Sequence, residues 1–481
     1  MIKFTQRTTG IYKEFLLFFC ITVIFSCSDI SKKDTPPFSL NQELDWSYAD
    51  HIISQIILPE FPDAIFNILN YGAVGDSVTD CTNAINEAIR ECSSKKGGTV
   101  LIPEGCFLTG AIHLLNNVNL HISEGAVLKF TTGKSKFLPV VHTRFEGMEC
   151  MNYSPFIYAY KQENIAITGK GILDGQGKAW WSWKGPWDGQ VETGWEEGIP
   201  NQLKDVAVLL EMVKNEIPFQ KRIFGEGSLL RPNFIQPYQC KNVLIEGITL
   251  INSPMWIIHP VLSENVTVKN VKIESLGPNN DGCNPESCKN VWIKDCFFNN
   301  GDDCIAIKSG RNEDGRRIGI PCENIVIQNC EMKEGHGGIV IGSEMSGDVR
   351  NIFAENCKLN SPHLDRALRI KSNSVRGGKV ENVFFRNSEV KEVNEAVVKI
   401  NMFYDWDRAE FIPSVSKIYV NGIKSEKSMY AVWIKAYKDK PVDGLNITDC
   451  TFDNVSKGMF IENVENLTIQ NVHCYSPDKE L

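Results

Sequence analysis

Three aspartates lie close together in the middle of the chain, and their chemistry is the most readily interpreted in the sequence. Asp281 lies 21 residues before Asp302, which Asp303 follows directly. Carboxylates that crowd into one site cannot all ionise with ordinary pKa values, so one of them tends to keep a proton at neutral pH. Hydrolysis of a glycosidic bond uses such a pair, a carboxylic acid that donates a proton and an ionised carboxylate beside it. A lone Asp-Asp pair is more often a solvated turn or a helix cap, so the surroundings must decide.

Whether these acids meet depends on the fold. If one coil of a parallel β-solenoid takes about 20 to 30 residues, Asp281 and Asp302 return to the same face on neighbouring strands, about 4.8 Å apart. Apolar runs at 291–293 and 305–307 flank Asp302 and Asp303. Between the runs lie Asn299, Asn300 and Gly301, which are residue types typical of turns. Adjacent strand residues point to opposite faces, so Asp302 and Asp303 reach one cleft only if the backbone bends there, which Gly301 would permit.

Basic residues follow the acids at intervals that suit one further coil each. His336 stands between two glycines 34 residues after Asp302, and Arg369 follows 33 residues later. In an extended Arg369-Ile370-Lys371 the two cations point to one face and the isoleucine to the other. Two cations on one face suit an anionic ligand, and an arginine can hold a carboxylate with two hydrogen bonds.

These residues together resemble a known family. The sets 279–281 (NND), 301–303 (GDD), 335–337 (GHG) and 369–371 (RIK) are similar, in order and spacing, to the four signature motifs of the polygalacturonases, glycoside hydrolase family 28. The resemblance extends from about residue 66 to the C-terminus. Asn280 stands where the family usually has threonine, and Asn284 where a second aspartate often lies; neither change removes one of the three acids.

The resemblance implies hydrolysis of α-linked galacturonic acid in pectin with inversion at the anomeric carbon. In it Asp302 is the general acid, while Asp281 and Asp303 hold and deprotonate the attacking water. An inverting enzyme separates acid and base by roughly 6.5 to 9.5 Å to admit that water. His336 is expected to hydrogen-bond an acid or the sugar; its alternative is a structural turn histidine.

Four further residues are candidates for substrate binding. Arg369 and Lys371 would bind the galacturonate carboxylate, since two adjacent cations repel each other without an anion. Asn279 of the first motif and Tyr404, one coil beyond Lys371, are assigned as substrate contacts through the resemblance. We expect neither a metal nor a cofactor, because no zinc-ligand spacing is present.

Other functions share some of these features. A hydrolase of rhamnogalacturonan or another pectin side-chain linkage is the nearest competitor. A pectate lyase shares the β-helix but typically needs Ca²⁺ and a basic residue as base, and a silent glycan-binding β-helix would lack the need for all three acids. The net charge of −9 argues against nucleic acid as partner but allows a pectic polysaccharide or galacturonic acid oligosaccharide in a local basic groove. We expect a monomer.

The repeats predict the fold class. An asparagine followed by β-branched or aromatic residues recurs through the chain, at Asn164, Asn242, Asn265, Asn290, Asn324, Asn351, Asn382, Asn446 and Asn466. From Asn242 to Asn382 the steps are 23, 25, 34, 27 and 31 residues. No segment keeps a helical period for long, so we predict an all-β, right-handed parallel β-helix whose asparagines stack structurally at one turn.

One β-helix domain is predicted over residues 65–481. Its open N-terminal end needs a cover, and Asp80 can cap a short helix that carries Ala84, Ile85, Ala88 and Ile89 on one face. An insertion at about 176–231 interrupts the repeat and is rich in tryptophan: Trp180, Trp181, Trp183, Trp187 and Trp195. These rings either pack the insertion against the solenoid or form a wall that stacks on sugars and favours cleavage of terminal residues (exo action).

The N-terminus predicts export. Basic residues precede an apolar run at 15–25, too short to span a bilayer, so residues 1–26 are predicted to be a signal peptide. The box ending at Cys27 looks like a bacterial lipoprotein site, which would lipidate Cys27 and anchor the protein in the periplasm or at the outer membrane; ordinary cleavage near residues 26–28 is the alternative. Residues 27–64 would then be a tether and N-terminal extension with a weak helical pattern at 46–57.

Sixteen cysteines complicate the prediction for an exported protein. Export favours disulfides. However, Cys240, Cys288, Cys322, Cys296, Cys330, Cys357 and Cys450 recur at repeat positions that asparagine or glycine also occupy. Many are therefore expected to be small buried residues in stacked turns.

Overall fold

The computed structural model describes residues 44–186, 193–405 and 408–476. A single compact unit begins at Leu44, so the extension from 44 onward belongs to the body of the molecule. The predictions for the signal peptide, for Cys27 and for Trp187 concern residues outside those described. No helix in the described ranges is both long and apolar enough to cross a membrane.

Strands dominate the described residues. In the N-terminal half they are β1 (Ile65–Asn67), β2 (Asp76–Asp80), β3 (Gly98–Ile102), β4 (Gly105–Thr109), β5 (Ile112–His113), β6 (Val118–Ile122), β7 (Ala126–Phe130), β8 (Val141–Phe145), β9 (Met148–Asn152), β10 (Ile157–Tyr160), β11 (Glu163–Gly169), β12 (Ile172–Asp174), β13 (Ile223–Phe224), β14 (Ile235–Tyr238), β15 (Lys241–Glu246), β16 (Thr249–Ile251), β17 (Glu264–Lys269) and β18 (Lys272–Ser275). In the C-terminal half they are β19 (Lys289–Lys294), β20 (Phe297–Asn300), β21 (Ile305–Ile307), β22 (Cys322–Gln328), β23 (Glu331–Met332), β24 (Ile339–Gly342), β25 (Val349–Glu355), β26 (Lys358–Leu359), β27 (Arg366–Lys371), β28 (Lys379–Arg386), β29 (Glu389–Glu392), β30 (Ala396–Asn401), β31 (Ser414–Asn421), β32 (Lys424–Lys427), β33 (Tyr430–Lys435), β34 (Val442–Phe452), β35 (Met459–Glu462) and β36 (Val464–Cys474).

Helices are few and short. The α-helices are α1 (Ser47–Gln55), α2 (Thr82–Ser94), α3 (Lys178–Trp181), α4 (Leu203–Lys214) and α5 (Asn312–Ile318), and the 3₁₀ turns include Ile68–Tyr71, Lys134–Phe137, Ser182–Lys184 and Phe219–Lys221.

The strands stack in parallel, one coil above another, and confirm the predicted right-handed parallel β-helix. Valine and isoleucine side chains from successive coils fill its interior; the row from Val243 through Val266 and Val291 to Ile325 is in register and buried. A separate six-stranded sheet of β21, β24, β27, β30, β33 and β35 forms one face of the solenoid. That sheet, called the groove sheet below, carries the candidate site.

The asparagine ladder is also confirmed. Amide side chains donate from coil to coil at 2.9–3.4 Å along Asn382, Asn351, Asn324, Asn290, Asn265, Asn242, Asn164 and Asn117. Each adopts a left-handed backbone, with φ of 54–61°. Asn446 was wrongly included, because it pairs with Tyr419 in register and Gly444, with φ of 80°, occupies the turn instead.

Helix α2 covers the first coil as predicted. Asp80 accepts from the Thr82 backbone N–H at 2.9 Å, and Ile85, Ala88 and Ile89 are fully buried. Helix α1 has a different place: Ala49 and Ile52 pack against an outward-facing apolar row on the side of the solenoid, formed by Val326, Phe353 and Phe384.

The described cysteines are all free thiols. Apart from Cys106, which is half-buried, they are buried, and several donate weakly to backbone carbonyls of their own turn, as Cys288 does to the Glu286 carbonyl. Small size and apolar packing explain their recurrence, in agreement with the second of the two expectations.

Two segments depart from the repeat. The predicted insertion contains α3 and α4. Two of its described tryptophans pack against the solenoid: Trp180 is fully buried against Phe137, and the Trp181 indole donates to the Ser253 carbonyl at 2.8 Å. The second segment, an antiparallel hairpin of β8 and β9, was not predicted.

Candidate active site

The backbone bends between β20 and β21, where Asp302 and Asp303 lie. The prediction that 299–301 forms a turn was wrong in part, because Asn299 and Asn300 complete β20. The Asn300 amide donates to the carbonyls of Asp302 at 2.9 Å and Asp303 at 3.1 Å, which holds the bend. A side chain on Gly301 would lie 2.3 Å from the Gly277 carbonyl oxygen, so glycine is required by this close approach. Both aspartates thereby face one cleft, as the bend predicted.

All three acids line that cleft, whose volume is about 390 Å³. Asp281 lies one coil below Asp303, since the Gly282 N–H donates to the Asp303 carbonyl at 3.0 Å. His336, Arg369, Lys371, Asn279 and Tyr404 line the same cleft, so every described candidate residue is brought to one place.

Asp302 and His336 form the most exposed pair in the site. Their Oδ1 and Nδ1 atoms are 3.0 Å apart, and the side chains are 16% and 38% exposed. The charge of Asp302 raises the pKa of His336 to about 9. Burial alone would raise the pKa of Asp302, but His336, Lys371 and Lys308 together hold it well below its usual range. The shared proton therefore resides on the imidazole.

Asp281 is the acid of the three whose pKa is raised. Burial and the charge of Asp302 raise the pKa of Asp281 well above its usual range, against the opposing charge of Lys308. Asn284 donates to its Oδ2 at 3.1 Å, and Lys308 Nζ lies 3.5 Å from the same atom. Asn284, at the position where the family often has an aspartate, thus supports Asp281 by a hydrogen bond.

Asp303 is paired with both predicted cations. Lys371 Nζ lies 2.7 Å from Oδ2 and an Arg369 nitrogen 3.4 Å from Oδ1, while Ile370 points into the core as the alternation predicted. Two cations within contact distance therefore hold the Asp303 carboxylate in a fixed position in the cleft. Tyr404 packs beside them, its ring centre 5.2 Å from Lys371 Nζ.

Comparison with known proteins identifies the family. The model of glycosyl hydrolases family 28 matches residues 225–474, more than half of the chain, and a rhamnogalacturonase A/epimerase, pectate lyase-like model matches residues 65–149. The chain belongs to glycosyl hydrolase family 28. It is therefore a glycosidase.

Several relatives resemble this family 28 member along most of its length. A probable polygalacturonase of Vitis vinifera is 28% identical over 81% of this chain and 74% of its own. An exo-poly-α-D-galacturonosidase of Dickeya chrysanthemi is 27% identical over 71% of this chain and 57% of its own. Among solved structures, the hyperthermoactive exopolygalacturonase of Thermotoga maritima is 43% identical, covers 91% of this chain and 97% of its own, and superposes with a TM-score of 0.86.

Asn279 has a positioning contact within this family 28 site. Its Oδ1 accepts from Arg231 at 2.6 Å, and its Nδ2 lies 3.5 Å from Asp302 Oδ2. Arg231 is fully buried and also bonds the Pro278 carbonyl at 2.8 Å and Gln202 at 3.1 Å, at the start of α4. The arginine therefore links the insertion to the first motif and orients Asn279 toward the acid.

Sequence reasoning missed cleft residues from outside the repeat. Glu146 lies at the tip of the β8–β9 hairpin and is ion-paired with Arg311 at 2.7 Å. Lys184, from the insertion, lines the same cleft and is almost completely buried. No periodicity connects these residues to the acids, so the sequence carried no signal for them.

Lys308 was also missed, although the sequence pattern around it could have placed it near the cleft. It follows the strand residues 305–307 directly and lies between two acids, 3.0 Å from Glu344 and 3.5 Å from Asp281. Its Nζ also donates to the Gly342 carbonyl on the next strand at 3.4 Å. Alternation along 305–308 would have placed this lysine in or beside the cleft.

Proposed function

We propose that this enzyme hydrolyses α-linked galacturonic acid residues from the ends of pectic polygalacturonan with inversion. The observation that carries the proposal is the single cleft in which three aspartates face Arg369 and Lys371. Arg369 and Lys371 share the single carboxylate of Asp303, so a galacturonate carboxylate can balance the remaining positive charge, whereas a neutral sugar cannot. The exo-acting relatives from Dickeya and Thermotoga support the same substrate.

The three acids have different roles in proton transfer. Asp302 accepts the proton across its 3.0 Å contact with His336 and gives it to the leaving glycosidic oxygen. Asp303, with Asp281 beside it, holds the water that attacks the opposite face of the sugar and takes a proton from it. After departure of the products, Asp303 loses its proton to solvent, and the exposed His336 takes one up from solvent, which restores the imidazolium beside the ionised Asp302.

Exo action fits the segments outside the repeat. The hairpin residue Glu146, its partner Arg311 and the insertion residue Lys184 all line the cleft, where a long chain would otherwise continue. We infer that they close the groove on the non-reducing side. Charged side chains thus form the wall that was expected from the tryptophans. The rings of Trp180 and Trp181 instead pack the insertion against the solenoid.

Product analysis tests the proposal. The enzyme is incubated with homogalacturonan oligomers and separately with rhamnogalacturonan, and products are followed from the first minutes. We expect galacturonate monomer from the outset and no unsaturated product. A ladder of sizes would replace exo with endo action, preferential release from rhamnogalacturonan would favour the competing hydrolase, and an absorbing unsaturated product lost with EDTA would establish a lyase.

The His336–Asp302 pair sets an expectation for pH dependence. The pair keeps one proton below the His336 pKa of about 9 and loses it above, so kcat/KM should fall as pH rises through that value. In His336→Asn the proton must be held by Asp302 alone, so the alkaline limb should move to lower pH by at least about two units. Profiles of kcat/KM against pH measure both, and an unmoved limb in the variant would remove His336 from the proton path.

We also propose export by a signal peptide over residues 1–26, lipidation of Cys27, a tether that continues into the extension before residue 65, and anchoring at the outer membrane or in the periplasm. The basic residues, the short apolar run and the cysteine box support this. Cells grown with a labelled fatty acid should label the wild-type protein and not Cys27→Ser. Equal labelling of the two would contradict lipidation at this residue.

A further inference from the structure

The groove sheet continues beyond the candidate site toward the C-terminus. Register places Arg369 beside Lys399 of β30, then Trp433 of β33, then Phe460 of β35 in one row. With about 4.8 Å between strands, Trp433 lies about 10 Å and Phe460 about 14 Å from the row position of Arg369. The same face that carries the carboxylate clamp therefore carries two aromatic rings further along.

These rings form a continuous apolar platform. Their centres are 5.4 Å apart at an interplanar angle of 26°, and Phe460 is 38% exposed although it is a large apolar side chain. Trp433 is half-buried, with Lys399 Nζ 4.7 Å from its ring centre. An exposed aromatic pair in line with a binding cleft presents flat apolar faces, which suit the C–H faces of sugar rings.

A second row runs beside the first and supplies charge. Lys371 is followed in register by Asn401, Lys435 and Glu462. Lys435 is half-buried, and its Nζ lies 5.5 Å from the ring centre of Phe403, which borders the same face. This second row therefore places an amide and a lysine beside the aromatic row. The acidic Glu462 is its last member.

We propose that Trp433, Phe460 and Lys435 bind the part of a galacturonate chain that extends from the scissile bond toward its reducing end. This surface is called the distal track. The proposal rests on the proposed function and deepens it: the preferred substrate is a chain several residues long. Each strand advances along the groove by about the length of a sugar ring, so the second and third residues beyond the bond reach the track.

The occupant follows from continuity and charge. The track shares its sheet and its rows with Arg369 and Lys371, so a sugar chain held by the clamp passes over it. Two rings with a lysine in the neighbouring row fit a polymer that has both apolar ring faces and a carboxylate on every residue. A neutral glycan would leave Lys435 unused.

Chain-length dependence tests the track, because in an exo enzyme added residues lie only on this side. Wild-type kcat/KM should rise at least about tenfold from the dimer to the pentamer of galacturonate. In Trp433→Ala we expect a loss of about five- to tenfold on the pentamer and less than twofold on the dimer. Phe460→Ala should lower the pentamer value alone, and Lys435→Met should make it less sensitive to salt.

Trp292→Ala is the matched control. Trp292 also has a lysine near its ring, Lys294 at 5.1 Å, but it lies on β19, outside the groove sheet. Its replacement should leave the ratio of pentamer to dimer unchanged. Equal losses on dimer and pentamer in Trp433→Ala, or a pentamer value equal to wild type, would overturn the track.

Binding to the Asp302→Asn enzyme separates this proposal from the proposed function. Calorimetric titration with dimer and pentamer requires no hydrolysis. Pentamer affinity that depends on Trp433 without turnover in the wild type would refute the hydrolase and keep the track. Turnover without any preference for the pentamer would refute the track and keep the hydrolase, and absence of binding would refute both.

Discussion

Asp302→Asn should lower kcat on galacturonate oligomers by at least about 10³-fold while substrate still binds. The amide has nearly the shape of the carboxyl group, and it can keep a hydrogen bond to Asn279 or His336, but it carries no proton that it can give to the leaving oxygen. The loss should therefore fall on kcat rather than on the dissociation constant. Initial rates with wild-type and variant enzyme, together with calorimetric binding of the trimer, measure the two quantities.

The leaving group distinguishes the acid from the base. An aryl galacturonide with an acidic phenol departs with little help from an acid, so the loss in Asp302→Asn should be much smaller on it than on the oligomers. Asp303→Asn should lose as much on both substrates, because the water still needs its base. A variant at residue 302 with near-native turnover of oligomers would refute the assignment.

A control for these variants lies in the same coil. Asp295 is an exposed aspartate in a left-handed turn, with φ of 53°, where asparagine is well tolerated. Its Oδ1 accepts only from the surface residue Asn329 among the described partners, at 2.9 Å. Asp295→Asn should keep wild-type kcat and thermal stability, so that a loss at residue 302 reflects chemistry and not folding.

Periodicity explains why the sequence predicted the acids and cations together. Solenoid coils convert a separation along the chain into adjacency, so the steps from Asp281 to Asp302 and from there to His336 fixed a shared face before any coordinates were considered. The bend at Asp302 followed from the alternation of strand side chains. These are local rules that repeat in every coil, and such rules can be applied without tertiary information.

Segments outside the repeat obey no such rule. Glu146 reaches the cleft because a hairpin is anchored at a distance: the Arg144 guanidinium donates to the fully buried Glu286 at 2.7 Å, and His259 bonds the same carboxylate at 2.7 Å. Helix α1 docks on the solenoid side because stacked Phe353 and Phe384 need cover. Both arrangements depend on long-range complementarity, which a single sequence does not display.

Proton placement also required the structure. The sequence predicted that one acid of the three would hold a proton, and chemistry of the family assigned it to Asp302. Lys308 is shared between Glu344 and Asp281, burial and the charge of Asp302 raise the pKa of Asp281, and the imidazole of His336 carries the proton beside Asp302. The donor role of Asp302 therefore requires delivery from the histidine, a step that spacing alone did not indicate.

Lys371→Met should lower kcat/KM on galacturonate oligomers by about 10²- to 10³-fold, through both a higher KM and a lower kcat. Loss of the carboxylate clamp predicted from the sequence would by itself raise KM. However, Lys371 also lies 2.7 Å from the base Asp303, whose side chain is only 1% exposed, and its removal leaves Arg369 at 3.4 Å as the remaining cation. A buried carboxylate that loses this hydrogen-bonding partner is held less firmly in position to act on the water, and it is a worse neighbour for an anionic sugar.

Methyl-esterified substrate separates the two roles of Lys371. Esterification removes the charge that the clamp recognises, so wild-type KM should be higher for the ester, and Lys371→Met should show little difference between acid and ester. The fall in kcat should persist on both, because Asp303 is impaired in either case. Lys289→Met, on the surface of β19 and 54% exposed, is the matched control and should behave as wild type. An unchanged KM for the acid in Lys371→Met would remove the clamp, and an unchanged kcat would remove the support of the base, so the two contacts that Lys371 makes from one position can be assigned separately.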